Sequence, residues 1–194
     1  NVGLEDANIT GAEAVGGLVG GNFGGNISNS YATGNITGTD YVGGLAGGNK
    51  YGTISDSYVI GNITGNYYVG GLVGWEEIGK ISNSYTIVDI TGQNRIGGLV
   101  GGNFGGNISN SYATGNITGT DQVGGLAGYN YQGNISNSYA TGNITGTDYV
   151  GGFVGVSNNG TLTNSYSHAN VTAGSIDNYR GGLVGYIVEG TINY

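Results

Sequence analysis

Apolar and polar residues alternate along this chain in short bursts such as Asn26-Ile27-Ser28 and Asn35-Ile36-Thr37, and glycine interrupts them every four to eight residues. Alternation at period two over such lengths predicts β-strands. The glycines supply corners where positive φ is tolerated. Helix is disfavoured throughout, because glycine in a helix interior costs about 1 kcal/mol per residue. The longest apolar runs are only a few residues, which excludes a membrane-spanning helix.

The pattern repeats. A Gly-Gly-x-x-Gly block starts at Gly16, Gly43, Gly70, Gly97, Gly124, Gly151 and Gly181. The first five intervals are 27 residues and the last is 30, so three residues are inserted before Gly181. Between blocks, Gly-x-Ile recurs around Ile27, Asn/Asp-Ser-Tyr around Tyr31 and Asn/Asp-Ile/Val-Thr around Ile36. Residues 16–47 and 97–128 differ only at Tyr41 and Gln122, which indicates duplication of a block of three repeats.

A helix-free 27-residue unit is too short for a propeller blade, which takes about 40 residues. It fits one coil of a parallel β-solenoid with three short strands, right-handed by the general preference of parallel crossovers. The chain reads as one solenoid domain over 1–194. Its coils lie near 1–15, 16–42, 43–69, 70–96, 97–123, 124–150, 151–180 and 181–194. Coils stacked about 4.8 Å apart turn equivalent residues into columns. Val15, Leu18, Ile27 and Ile36 start four aliphatic columns expected inside. One coil cannot offset the entropy of ordering itself, so stacking must hold the rod together. The Tyr31 and Asn29 columns, the latter with Asp56 as its acidic member, are expected to face inward or line a corner. Stacked Asn amides can bond to one another along the axis.

Composition narrows the function. Glycine supplies 45 of 194 residues, 8% are charged, and Pro, Cys and Met are absent. No disulfide framework or cysteine metal site exists. The net charge is −8, and Lys50, Lys80, Arg95 and Arg180 form no basic stripe. Nucleic-acid binding and direct membrane insertion are therefore not expected. The chain begins at Asn1 without a signal peptide, so a processed form or a fragment is expected.

The recurrent Gly-Gly-Leu-Val/Ala-Gly followed by Gly-x-Ile-Ser-Asn-Ser-Tyr-Ala-Thr-Gly resembles the GLUG-motif repeat over essentially the whole chain. Departures fall at Trp75-Glu76-Glu77, at Val88-Asp89 and around Ser175 to Arg180. Such repeats occur in large secreted or surface-attached prokaryotic proteins. The resemblance implies an extracellular scaffold or adhesive role and carries over no catalytic residue.

Residue chemistry points away from an enzyme. His168 is the sole imidazole and shares the column of Thr33, Thr114 and Thr141, as a surface variant would. No cofactor is expected. Calcium is the one metal left open, because Asp40, Asp121 and Asp148 share a column; Tyr67 and Asn94 interrupt it, so no carboxylate ladder forms. The one cluster with ligand-binding chemistry is Trp75, Glu76, Glu77, Lys80 and Arg95, with Asp89 nearby in sequence. Its simpler reading is an ion pair between Glu77 and Lys50 one rung below, plus Arg95 stacked over Tyr68. A glycan or another host-surface ligand is the alternative.

Asn-x-Ser/Thr occurs at Asn8, Asn26, Asn35, Asn62, Asn107, Asn116, Asn134, Asn143, Asn159 and Asn170, which are candidate N-glycosylation sites. Glycans on every rung of one column would collide, so occupancy is expected to be partial. The outward Asn35/Thr37-type pairs form a flat amide–hydroxyl array, which keeps ice binding as a second binding-module reading. At the ends, Tyr194 and Val2 fall in the Asn29 column and Leu4 in the Tyr31 column. With Ile192 and Arg180, they are expected to meet in head-to-tail stacking of subunits, or to continue a longer array. The expected function is thus an extracellular structural rod: a surface stalk, an adhesin body or a filament subunit.

Overall fold

The computed structural model describes residues 1–174 and 179–194, and among these the chain is all-β. One coil holds four strand segments, for example Tyr31–Thr37, Asp40–Gly43, Ala46–Lys50 and Thr53–Ser55. Each pairs in parallel with its equivalent one repeat away: Ile36 faces Ile63, Val42 faces Val69, Ala46 faces Val73 and Ile54 faces Ile81. The result is a parallel β-solenoid of about seven coils. The first two ladders form seven-stranded sheets. The third and fourth join into one twelve-stranded sheet, because Val154–Thr163 and Val184–Asn193 run through both. Where three strands per coil were expected, there are four. A corner at positions such as Tyr51, with φ of 57°, splits the third face.

The core is built of columns. Ile36, Val42, Leu45 and Ile54 are each fully buried and head or continue the four expected aliphatic columns. Leu18 and Ile27, at the edge of the stack, are only partly buried. A fifth inward column runs Ala32, Val59, Thr86, Ala113 and Ala140. The Tyr31 column lines a corner and points outward instead of inward. Its rings stack along the axis at centroid spacings of 4.8–5.1 Å, with interplanar angles of 5–7°. Asn29 and its equivalents also line that corner, at φ near 50°, and are exposed. The serine between them is buried. Ser57 Oγ accepts the Ser30 N–H at 3.1 Å and donates to the Ser55 carbonyl at 2.7 Å, and the pattern recurs up the rod.

The first strand, Gly3–Thr10, departs from the expected register. Ile9 faces Ile36, but Leu4 faces Ala32 and not Tyr31, because one extra residue is accommodated between Leu4 and Ala7. Asp6, at φ 49°, marks this bulge. A one-residue shift moves a side chain to the opposite face of a strand. Here it turns Leu4 towards the core and places Val2 beside Ser30, whose Oγ accepts the Val2 N–H at 3.2 Å. At the other end Tyr194 does fall beside Asn164, as expected for the Asn29 column. Arg180 pairs opposite Val150 and is exposed. The rest of the insertion, 175–178, lies outside the described residues.

The coil is also re-entrant. Between the second and third segments, Gly44 and Leu45 are buried, and Gly44 lies against Val59 and Ile63 of the first sheet. The two segments flanking this bend then pack backbone to backbone. Gly74 shows why glycine is needed: a Cβ there would lie 2.6 Å from the Tyr41 carbonyl carbon and 2.6 Å from the Val42 nitrogen, both main-chain atoms that cannot swing aside. Gly74→Ala should therefore destabilise the rod by on the order of 3 kcal/mol. Gly182→Ala, where a Cβ meets nothing within 4 Å, should stay within about 0.5 kcal/mol of the parent. Thermal denaturation of the two variants checks the contrast.

Candidate functional site

The re-entrant bend leaves a groove running along the axis, lined on one wall by the Tyr41 column and on the other by the Gly48–Trp75 and Lys50–Glu77 columns. Alternation on the strand Val73–Glu77 sends Trp75 and Glu77 out into this groove and Glu76 inward. The sequence cluster is thus divided. Trp75, Glu77 and Arg95 share the groove. Lys80 is exposed on the following strand, Lys80–Ser82, in register with Thr53 and Asn107. Asp89 lies on the first sheet, where it accepts the Asn116 N–H and side-chain amide, both at 2.9 Å.

The two rung-to-rung contacts expected from register are present. Lys50 Nζ lies 3.0 Å from Glu77 Oε1 and 5.8 Å from the Trp75 ring centroid. Arg95 lies 4.7 Å over the Tyr68 ring and, beyond expectation, 4.7 Å over Tyr129 on the opposite wall. Its Nε donates to Gln122 Oε1 at 3.1 Å. Aromatic rings from both walls interlock: Tyr41 with Trp75 at 6.1 Å, Trp75 with Phe104 at 6.4 Å and Tyr68 with Phe104 at 6.0 Å. Two hollows open along this line, one between Tyr41 and Trp75 and one between Trp75 and Tyr131.

Glu76 occupies a site that the surface reading of the cluster missed. Its column runs Asn22, Asn49, Glu76, Asn103, Asn130 and Ser157, all buried. In this column Asn22, Asn49 and Asn103 each donate Nδ2 both to the carbonyl three residues ahead and to the side-chain oxygen one rung up, while Asn130 donates only to the Gly133 carbonyl. Asn22 reaches Asn49 Oδ1 at 2.7 Å, Asn49 reaches Glu76 Oε2 at 2.8 Å, and Asn103 reaches Asn130 Oδ1 at 2.8 Å. The chain of donors breaks at Glu76. Its Oε1 and the Asn103 Oδ1 are both buried without a hydrogen-bond partner, and both lie beside Gly106, 3.2 and 2.5 Å from where a Cβ there would stand. A carboxyl that keeps its proton repairs the break, because Oε1–H then donates where an amide otherwise would. Burial pushes the Glu76 carboxyl from its ordinary 4.5 up to about 8, against the opposing pull of the Asn49 amide and the Gly79 backbone.

The remaining candidates are surface features. His168 is exposed opposite Thr141. Asp40, Tyr67, Asn94, Asp121 and Asp148 form one column as read from the sequence. No group of three His, Cys, Asp or Glu is placed to hold a metal ion among the described residues. All ten sequon asparagines are exposed. Those on the first sheet are tied rung to rung, with Asn62 donating to Asn35 at 2.9 Å and Asn143 to Asn116 at 2.7 Å.

The folded state holds the Glu76 proton at pH values where the unfolded chain has lost it. The Glu76 contribution to stability is therefore greatest below about pH 4.5, falls as pH rises towards 8, and levels off above it. The slope in that window is about 1.4 kcal/mol per pH unit. Glu76→Gln, which carries its own donor, should remove this slope and be the more stable protein at pH 9. Thermal midpoints of both proteins from pH 4 to 9.5 test this; parallel curves would show that the carboxyl is charged when folded.

A family model described as the GLUG motif matches residues 11–37, 38–64, 92–118 and 119–145, more than half of the chain. The coil carrying Trp75, Glu76 and Asp89 lies outside the four matches. No curated protein and no solved structure matches the chain. Together with the 27-residue coils and their in-register columns, these four matches establish that the chain belongs to the GLUG-motif repeat family.

Proposed function

We propose that this chain is a structural rod that works outside the cell, as the body of a surface stalk or adhesin. The observation that carries the reading is the axial register, held from coil to coil beyond the bulge at Leu4–Ala7. Tyrosine, serine and aliphatic columns run from coil to coil, and the coil-to-coil bonds involve all four strand ladders. Such a body resists bending, because tilting one coil must break backbone bonds and stacked rings together. The low content of charged residues and the absence of cysteine suit an exterior spacer whose stability rests on stacking alone. We infer that a second copy of this chain can stack on the rod through its parallel strand edges.

Two outcomes are expected. Deleting residues 97–123 removes one coil in register, so the shortened protein should keep its β circular dichroism. Its length by small-angle scattering should fall by about 4.8 Å. Antibody against the rod should label intact, unpermeabilised source cells. Loss of fold on the deletion, or labelling only after permeabilisation, would count against a modular exterior rod.

A further inference from the structure

The groove along the re-entrant bend carries a backbone conformation that its residues are ill suited to adopt. Ala14, Tyr41, Tyr68, Arg95, Gln122 and Tyr149 occupy one column, and all have φ between 51° and 58°. The Asn29 column has the same left-handed φ, but there Asn and Asp fill every rung from Asn29 to Asn164, the side chains that enter this region most readily. Bulky residues held in that conformation cost stability; they recur at the next corner, at Tyr51, Ile78 and Gln132, so strain is shared and the groove column is set apart by where it aims its rings. What the groove column gains is position. The left-handed turn aims Tyr41 and Tyr68 across the groove at Trp75 and Phe104 on the other wall. Tyr41 stays 37% exposed and Phe23, at the same mouth, 76% exposed.

We propose that this groove is a binding site for an extended, uncharged polysaccharide, gripped by stacking of its sugar rings on Trp75, Tyr41 and Phe104. Three features select that ligand. Aromatic rings follow one another along the groove over four coils, from Tyr41 and Trp75 through Phe104 to Tyr129 and Tyr131, so the surface offers several ring-sized contacts along one axis and suits a polymer of ring-shaped units. The groove's cations are already engaged, Lys50 with Glu77 and Arg95 between two tyrosines and Gln122, while the protein carries a net charge of −8. A polyanion is therefore disfavoured. The strands lining the groove spend their backbone groups on the coils above and below, so an extended peptide finds no edge to join.

Trp75 is the single tryptophan of the chain and stands in the groove. Its emission therefore reports occupancy without any substitution. Titration with cello-, xylo-, manno- and chito-oligosaccharides of four to eight units should shift and saturate that emission for at least one series. In native gels containing the matching soluble polysaccharide, the parent protein should be retarded. Tyr41→Ala and Trp75→Ala should each lose at least tenfold in affinity. Tyr112→Ala, on the tyrosine column of the opposite corner, should bind as the parent does, with circular dichroism confirming the fold of all three. No emission change with any neutral series overturns the proposal. So does retardation by alginate or hyaluronan only, or equal losses in all three variants.

Discussion

Parallel stacking in register imposes one condition on every position of this chain: a side chain must be compatible with its own equivalents directly above and below it. Aliphatic residues meet it by contact. Tyrosine meets it by ring stacking, serine by accepting an amide hydrogen from the rung below and donating within its own coil, and asparagine by carrying both a donor and an acceptor. A lone carboxylate does not meet it, since it only accepts. The buried column through Asn49 and Asn103 therefore favours Glu76 as a neutral group, and the half-buried Lys50 has its opposite on the adjacent rung.

Much of this was legible in the sequence, because the condition writes itself as periodicity. The 27-residue spacing gave the coil, the aliphatic columns gave the core, and register alone paired Lys50 with Glu77 and Arg95 with Tyr68. What escaped were features set by φ and by strand alternation at single residues. Tyr31 and Ala32 are neighbours, and which one points inward depends on the left-handed corner at Asn29, which shifts the phase of the alternation. The same phase question hid Glu76, flanked by two outward residues in a cluster that looked like surface charge. Its recurrence with Asn22, Asn49 and Asn103 was the available signal. The bulge that brings Leu4 inside leaves no mark in the repeat, because the first coil has no complete copy to compare within its own strand.

The re-entrant bend links rigidity to recognition. Glycines at Gly44, Gly47 and Gly74 let two strands meet without side chains between them, and this removes volume from the middle of the coil that would otherwise need filling. The same approach brings two walls of side chains together at the mouth. A convex solenoid with this sequence length would spread Tyr41 and Trp75 onto separate faces. Here the stabilising geometry and the aromatic track have one cause, so repeats can exchange groove residues rung by rung while the glycine pattern stays fixed.

The two amide columns have a consequence for growth. In the interior, Asn22 and Asn103 donate towards the C-terminal coils, whereas on the first sheet Asn62 and Asn143 donate towards the N-terminal ones. Their dipoles oppose each other, and sheet backbones add little of their own. Lengthening the array therefore adds side-chain amide dipoles of both senses, unlike a long helix, whose peptide dipoles all add in one direction.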